Sequence, residues 1–136
     1  MNSTERTLSI IKPDAVERNL QEVIKKNFLE NGFNIKNEKK IHISKSEAEE
    51  FYKVHQSKPF YGELCNYLSS GPIVVMILEG ENAVSKNRQI MGATDPKKAE
   101  DGTLRKMYGL SIDKNSVHGS DSLENAKIEI DFFFKD

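Results

Sequence analysis

Six consecutive apolar residues at 73–78, Ile-Val-Val-Met-Ile-Leu, constrain the fold of this chain more than any other feature. A run of this length, rich in β-branched side chains and without a polar position, is typical of a central strand that is buried on both faces. The sequence Ser69-Ser70-Gly71-Pro72 precedes the run and predicts the end of the element before it. The chain therefore contains a sheet with this strand in its interior.

Regular periodicity predicts the elements on either side of this strand. Before it we expect, in order, a strand at 7–11, an amphipathic helix at 20–28, a strand with one wet face at 33–43 and a hairpin of two helices at 44–68. After it we expect a helix that Asn82 caps and that runs to Met91, a short strand at 116–118 and a last helix. The aromatic residues at 132–134 favour packing or a subunit contact over a ligand site.

The order of these elements predicts the fold class. Strand, helix, strand, helix hairpin, strand, helix, strand is the order of a ferredoxin-like βαββαβ sandwich. We therefore predict an α/β fold of the α+β type, a mostly antiparallel four-stranded sheet with helices packed on one face. The 136 residues are the size of a single domain, 1–136, with one core.

A stretch at about 92–115 shows no periodicity, and we interpret it as a long loop. Glycine and proline interrupt it at Gly92, Pro96, Gly102 and Gly109. Structureless loops longer than about 12 to 15 residues are uncommon in compact domains and are often functional. The loop also carries Thr94 and Arg105, so we expect it to contribute to a site.

Charge and cysteine content exclude several classes of function. The 20 basic and 21 acidic side chains give a net charge of −1, so no global field draws the protein to nucleic acid or to an anionic membrane. Any anion site must be local. Cys65 is the only cysteine, which excludes an internal disulfide and fits a reducing cytoplasm. We find neither a signal peptide nor a run of about 18 apolar residues, and we expect no export and no membrane span.

The segment at 115–121 combines a nucleophile, a chain reversal and helix-capping residues. A neutral imidazole such as His118 is a nitrogen nucleophile at cell pH without special tuning. Gly119 leaves its approach open, and backbone N–H groups of the following helix should point towards it from an N-cap among three candidates, Ser120, Asp121 and Ser122. Glu129, about two turns into that helix, could accept a hydrogen bond from the second ring nitrogen. Taken alone, a histidine before a helix is more often a capping or solvated residue.

The common phosphate-binding motifs are absent, so phosphates would have to be bound by side chains. The candidates lie at the ends of elements or in the long loop: Lys12, Arg88, Thr94, Arg105 and Asn115. Phe60 could stack on a base. Arg88 lies in an apolar stripe and could equally extend to solvent, and Tyr52 could equally belong to the core. No carboxylate cluster suggests a dedicated metal site, so Mg²⁺ would arrive on the substrate's phosphates.

Together these residues resemble the nucleoside diphosphate kinase family, from about Arg6 to the last helix. The segment 115–122, Asn-Ser-Val-His-Gly-Ser-Asp-Ser, fits the family's N-x-x-H-G-S-D-S/T signature. Further landmarks match in order: Ile11-Lys12-Pro13-Asp14, Pro59-Phe60, Ser70-Gly71-Pro72, Gly92-Ala93-Thr94-Asp95-Pro96 and Gly102-Thr103-Leu104-Arg105. The resemblance implies transfer of the terminal phosphoryl group of a nucleoside triphosphate, typically ATP, to a nucleoside diphosphate. The intermediate would be a phosphohistidine at the pros nitrogen of His118.

The resemblance also implies roles for the other candidates, position by position. Lys12 and Asn115 would bond the ribose hydroxyls, with Lys12 also meeting the transferred group, and Phe60 would stack on the base. Three residues would hold the donor phosphates: Arg88, Thr94 and Arg105. Three more would support the nucleophile, namely Glu129 by orienting the imidazole, Ser120 by supporting Glu129 and Tyr52 by lining the site. Mg²⁺ would bridge the phosphates, and the chain would form a homo-oligomer, with a hexamer favoured over a tetramer.

The chain departs from the family pattern at a few positions. Ala15 stands where glycine is common, Asp101 replaces the usual proline, and residues 106–109, Lys-Met-Tyr-Gly, are atypical after the arginine. The last two changes lie in a loop that contributes to subunit contacts in the family. Two other classes of function stay open: a non-catalytic nucleotide-binding module, and a nucleic-acid-binding protein, which the near-neutral charge disfavours.

Overall fold

A computed structural model of the chain describes residues 4–53, 56–59, 61–110 and 116–134. Its sheet has four strands in the order β2-β3-β1-β4, and every described pair is antiparallel. The strands are β1 (Thr4–Ile11), β2 (Asn34–Ile41), β3 (Ile73–Glu81) and β4 (Val117–Gly119). The central position of β3, between β2 and β1, agrees with its continuous apolar sequence.

Seven α-helices lie within the described ranges. They are α1 (Pro13–Glu17), α2 (Gln21–Glu30), α3 (Lys45–Phe51), α4 (Tyr61–Leu68), α5 (Ala83–Met91), α6 (Leu104–Tyr108) and α7 (Leu123–Phe133). None of the helices in this part of the chain is long and apolar enough to cross a membrane.

Helices cover both faces of the sheet, so the expectation of one covered face was wrong. Alternate residues of β3 belong to two different cores: Val74, Met76 and Leu78 pack with α2 and α5, whereas Ile73 and Val75 pack with α3, α4 and α7. Successive side chains of a strand point to opposite faces, and both faces here carry apolar residues. A strand without a polar position can satisfy this pattern only when both faces are buried.

Local capping chemistry explains several of the helix boundaries. The Ser44 hydroxyl accepts the N–H of Glu47 at 3.1 Å and the Glu47 carboxylate accepts the N–H of Ser44 at 2.9 Å, which is a complete capping box. Gly32 follows α2 with a φ of +89°, a conformation that glycine adopts without strain. Asn82 precedes α5 as predicted, but it is left-handed and its side chain makes no capping hydrogen bond. Its effect at that position is a backbone turn.

The segment 92–115, predicted as one loop, contains two short helical elements in its described part. A 3₁₀ turn at Pro96–Lys98 is capped by the Asp95 side chain, and the side chain of Thr103 caps α6. Elements of three and five residues are too short to produce a periodic pattern, which is why the sequence gives no sign of them. A Cβ on Gly109 would lie 2.6 Å from the Pro96 side chain and 2.7 Å from the carbonyl oxygen of Arg105. The segment is therefore closely packed.

Candidate active site

The histidine at the centre of the predicted site lies on the short strand β4. Residue His118 is paired with Ile10 of β1, so its side chain is on the face of the sheet that α3, α4 and α7 cover. The ring of Phe51, at the end of α3, meets the imidazole edge to face with 5.3 Å between ring centroids. The His118 side chain is 19% exposed. It is thus held by packing and still accessible to a small reactant.

A chain of hydrogen bonds fixes the imidazole from one side. The Nε2 atom of His118 lies 3.0 Å from Oε1 of Glu129, and the Ser120 hydroxyl donates to the same carboxylate oxygen at 2.8 Å. The backbone N–H of Leu8 donates to the Ser120 hydroxyl at 3.3 Å. A carboxylate can only accept here, so the neutral imidazole carries its proton on Nε2 and has its lone pair on Nδ1. Among the described residues, Nδ1 has no hydrogen-bond partner.

Gly119 serves helix packing rather than an open approach to the histidine. A Cβ on this residue would lie 2.3 Å from Nδ2 of Asn87 and 2.7 Å from Cε of Met91. Both side chains belong to α5, on the sheet face opposite to that of His118, because neighbouring residues of a strand point to opposite faces. Glycine is therefore required for α5 to approach β4 closely. The expectation that Gly119 clears space for the nucleophile was wrong.

Of the three candidate N-caps before α7, only one caps the helix. The Ser122 hydroxyl accepts the N–H of Asn125 at 3.1 Å. Ser120 is instead bonded to Glu129, and Asp121 accepts a hydrogen bond from the Asn125 side chain at 2.6 Å. The pKa of the Asp121 carboxyl is lowered mainly by this hydrogen bond. The positive charge of Arg88 and the nearby His118 lower it further. The helix start thus places a carboxylate near both Arg88 and His118.

Arg105 is buried under the strand that carries the histidine. Its Nη2 donates to the carbonyl oxygen of Val117 at 3.0 Å and its Nη1 donates to that of Gly92 at 3.0 Å. Burial, and then the positive charge of Arg88, lower the pKa of Arg105 to about 10, so the guanidinium is still charged at neutral pH. Its Nε is buried without a partner among the described residues. The structure therefore gives Arg105 a supporting role towards β4 that the sequence did not indicate.

The other candidates are distributed around this centre. Arg88 is on the exposed side of α5, close enough to affect the pKa of both Arg105 and Asp121, and Thr94 is exposed beyond the end of α5. Tyr52 is 6% exposed within the core, and burial raises the pKa of its hydroxyl. Lys12 is 5% exposed at the end of β1, and its N–H donates to the carbonyl oxygen of Ser116 at 2.8 Å. Phe60 and Asn115 lie outside the described residues.

The sequence pattern of one known family, nucleoside diphosphate kinase, matches residues 5–136. The chain belongs to the nucleoside diphosphate kinase family. A nucleoside diphosphate kinase of Rhizorhabdus wittichii is 58% identical over 133 residues, which cover 98% of this chain and 95% of the relative. That of Nitratiruptor sp. is 59% identical over 130 residues, covering 96% of this chain and 95% of the relative.

Solved structures of nucleoside diphosphate kinases have the same fold. The Aquifex aeolicus enzyme superimposes with a TM-score of 0.95 at 42% identity, covering 98% of this chain and 96% of that one. The enzyme from Encephalitozoon cuniculi gives 0.94 at 39% identity, over 97% of this chain and 90% of that one. The predicted resemblance and the predicted ferredoxin-like fold class are both confirmed.

A cavity of about 1120 Å³ adjoins the site of this family member but has the wrong charge for its substrate. It shares Glu129 with the predicted site. Two further carboxylates, Glu50 and Asp131, line the cavity, together with a single basic residue, Lys53. Carboxylates repel a triphosphate. Positive charge lies instead on Arg88 and Arg105, which are close enough to affect each other or Asp121 at the start of α7. Within the described ranges, no group of three or more His, Cys, Asp or Glu side chains could hold a metal ion.

Proposed function

We propose that this nucleoside diphosphate kinase transfers the terminal phosphoryl group of ATP to a nucleoside diphosphate through Nδ1 of His118. The observation that carries the proposal is the bond from Nε2 to Glu129, which leaves the lone pair on the other ring nitrogen. Nδ1 is the pros nitrogen. Glu129 holds the tautomer and stabilises positive charge that develops on the ring during attack, and Ser120 holds Glu129.

The proposed reaction consists of two half-reactions. The lone pair of Nδ1 forms a bond to the terminal phosphorus while the bond from that phosphorus to the bridging oxygen breaks, and the electron pair leaves with the diphosphate. In the second half, a terminal oxygen of another nucleoside diphosphate attacks the phosphorus of the phosphohistidine. The bond from phosphorus to Nδ1 breaks, and its electron pair returns to the ring nitrogen. Such transition states are largely loose, so alignment and positive charge supply most of the catalysis. In this proposal that charge comes from Lys12, Arg88 and Arg105, with Thr94 as a neutral donor.

Substrate recognition would depend on groups that do not distinguish the bases. We assign base stacking to Phe60 and ribose contacts to Lys12 and Asn115. Every base has a π face, so stacking tolerates all of them. This favours a broad role in the synthesis of ribonucleoside and deoxyribonucleoside triphosphates. Tyr52 completes the wall of the site next to Glu129 and Arg105.

Magnesium fits this arrangement as a companion of the nucleotide. Mg²⁺ keeps several waters and is commonly bound through substrate phosphates with few protein ligands. When bound, it would neutralise charge on the phosphates. The chain's own residues then need only align the phosphate chain with Nδ1.

We further propose a cytoplasmic homo-oligomer, with a hexamer favoured over a tetramer. Exposed apolar side chains support association. Met107, one of the atypical residues of the long loop, is 46% exposed, and Leu110, which follows them, is 60% exposed. The single cysteine and nucleotide substrates favour the cytoplasm. Light scattering of the purified chain would measure its mass, and a monomer at micromolar concentration would contradict the assembly.

Steady-state kinetics of two histidine variants would test the function. His118→Gln should fold and bind ATP, yet lose transfer to GDP and CDP. The matched control is His42→Gln, because His42 lies between β2 and α3, where its Nε2 forms a hydrogen bond with the carbonyl oxygen of Ser69 at 2.8 Å. It should keep wild-type rates. Parallel lines in double-reciprocal plots of the wild type would support a ping-pong cycle.

A non-catalytic nucleotide-binding module would behave differently in the same assay. It would bind ATP but would transfer no phosphate, either in the wild type or in the two variants. Appreciable turnover in His118→Gln would instead remove His118 from its assigned role while leaving the activity in place.

A further inference from the structure

Ser116, two residues before the histidine, has an unusual backbone conformation. Its φ is +75° and the residue is fully buried. The other non-glycine residues with positive φ in the described ranges are Asn19 and Asn82, and asparagine is the type that tolerates this region best. A buried serine in this conformation must be held there by its surroundings.

The Asp14 carboxylate holds the Ser116 side chain. The Ser116 hydroxyl donates to Oδ2 of Asp14 at 2.7 Å, and the carbonyl oxygen of Tyr108 lies 3.1 Å away. A hydroxyl has one hydrogen, and a charged acceptor binds it more strongly than a carbonyl does. Nη2 of Arg18 donates to the same hydroxyl at 3.2 Å.

The carboxylate itself is buried and fully bonded. The Asp14 side chain is 4% exposed, and Nη2 of Arg18 lies 3.0 Å from its Oδ2. The Tyr67 hydroxyl donates to its Oδ1 and accepts the N–H of Asp14 at 2.9 Å. Burial, and then the Asp14 carboxylate, raise the pKa of the Tyr67 hydroxyl, so that it remains a donor. A buried carboxylate with this many partners is a fixed point in the structure.

The hydrogen bond between Asp14 and Ser116 connects the segment that carries Lys12 to the segment that carries His118. Asp14 lies two residues after Lys12, and Ser116 lies two residues before His118. The N–H of Lys12 also donates to the carbonyl oxygen of Ser116 at 2.8 Å. The strand β4 begins directly after Ser116 and is only three residues long, so its start depends on how Ser116 is held. None of the roles in the proposed function uses Asp14.

We propose that Asp14 is a positioning residue, which sets the distance between the Lys12 side chain and His118 by holding Ser116 in its left-handed conformation. This inference rests on the proposed function, because it concerns the alignment of the phosphoryl group between the two. A displacement of about 1 Å in such an alignment can lower a rate about 10²-fold. None of the hydrogen bonds described for Asp14 and Ser116 involves Arg88, to which the proposed function assigns the donor phosphates. We therefore expect the rate of transfer to depend on the network more than ATP affinity does.

Rapid-quench measurement of histidine phosphorylation by γ-labelled ATP with Mg²⁺ tests the proposal in Asp14→Ala and Ser116→Gly. We expect the maximal rate to fall between about 10-fold and 10²-fold in each. The half-saturating ATP concentration should change less, although Lys12 also contacts the nucleotide in the proposed function. The double variant should be no slower than the slower single variant, because both substitutions remove the same hydrogen bond between Asp14 and Ser116. The matched control is Ile24→Ala, a buried change in α2 that should lower the melting temperature but removes none of the hydrogen bonds of the network.

Maximal rates at the wild-type level in Asp14→Ala and Ser116→Gly, or an equal fall in Ile24→Ala, would overturn the role of Asp14 and leave the proposed function intact. If Asp14→Ala does not fold, Ser116→Gly decides the question. Glycine can adopt the positive φ without strain, so this variant should fold, but it has no hydroxyl by which Asp14 could hold it in that conformation. Absence of label from the wild type would refute the proposed function, and the role of Asp14 with it.

Discussion

At His118, one hydrogen bond determines which ring nitrogen is available for chemistry. The Glu129 carboxylate forms a hydrogen bond with Nε2, and the Ser120 hydroxyl donates a hydrogen bond that holds the carboxylate in place. Both contacts join residues 9 to 11 positions apart, across the turn between β4 and α7. The short separation lets local geometry help to orient the imidazole, in addition to its packing against Phe51.

Replacement of Glu129 should therefore change the chemistry more than the fold. In Glu129→Gln the side-chain amide can donate to Nε2, which moves the ring proton to Nδ1 and removes the attacking lone pair. We expect the rate of phosphohistidine formation to fall at least about 10²-fold, by analogy with the tautomer error in a serine protease triad. Rapid quench would measure the rate, and thermal melting would check the fold.

Glu124→Gln is the control for this substitution, since Glu124 is exposed in the first turn of the same helix. It should react at the wild-type rate. If Glu129→Gln also reacted at that rate, the tautomer would be set by another group and the proposed role of Glu129 would be wrong.

At the scale of elements, the approach of α5 to β4 sets the thickness of the layer behind the histidine. Gly119 allows Asn87 and Met91 to come within contact of the strand backbone. The side chain of Asn87 is fully buried, and its amide atoms have no hydrogen-bond partner among the described residues. The arrangement is therefore tightly packed and cannot absorb an added methyl group at no cost.

Gly119→Ala should lower the free energy of unfolding by about 1 to 3 kcal/mol, the usual cost of overpacking. Urea denaturation would measure it. Gly62→Ala in α4 is the matched control, since a Cβ there meets nothing within 4 Å. Alanine in a helix should raise the free energy of unfolding by about 0.5 to 1 kcal/mol at that position. Equal denaturation midpoints for the two variants would show that α5 and β4 are not in the close contact described.

At the scale of the whole molecule, sequence patterns predicted the topology because they report burial. The apolar run at 73–78 predicted a strand buried on both faces, and that prediction is confirmed. The accompanying expectation of helices on one face contradicted it and was wrong. The helix α6 was missed because five residues make little more than one turn.

Contacts between distant segments could not be predicted from the chain alone. The link from Asp14 to Ser116 spans 102 positions, and the contact of Phe51 with His118 depends on how α3 packs on the sheet. The periodicity of a sequence does not indicate which distant segments will contact each other. Glu129 could be proposed because the pitch of one helix brings it back towards the preceding strand. The assignments of Phe60 and Asn115 remain predictions.

The most direct test of the central claim is to mix the protein with γ-labelled ATP and Mg²⁺, without an acceptor, and to look for protein-bound phosphate. We predict a label that survives alkali, is lost in acid, moves to added GDP or CDP and is absent from His118→Gln. ATP binding without transfer of the label would contradict the account and leave the site as a nucleotide-binding module.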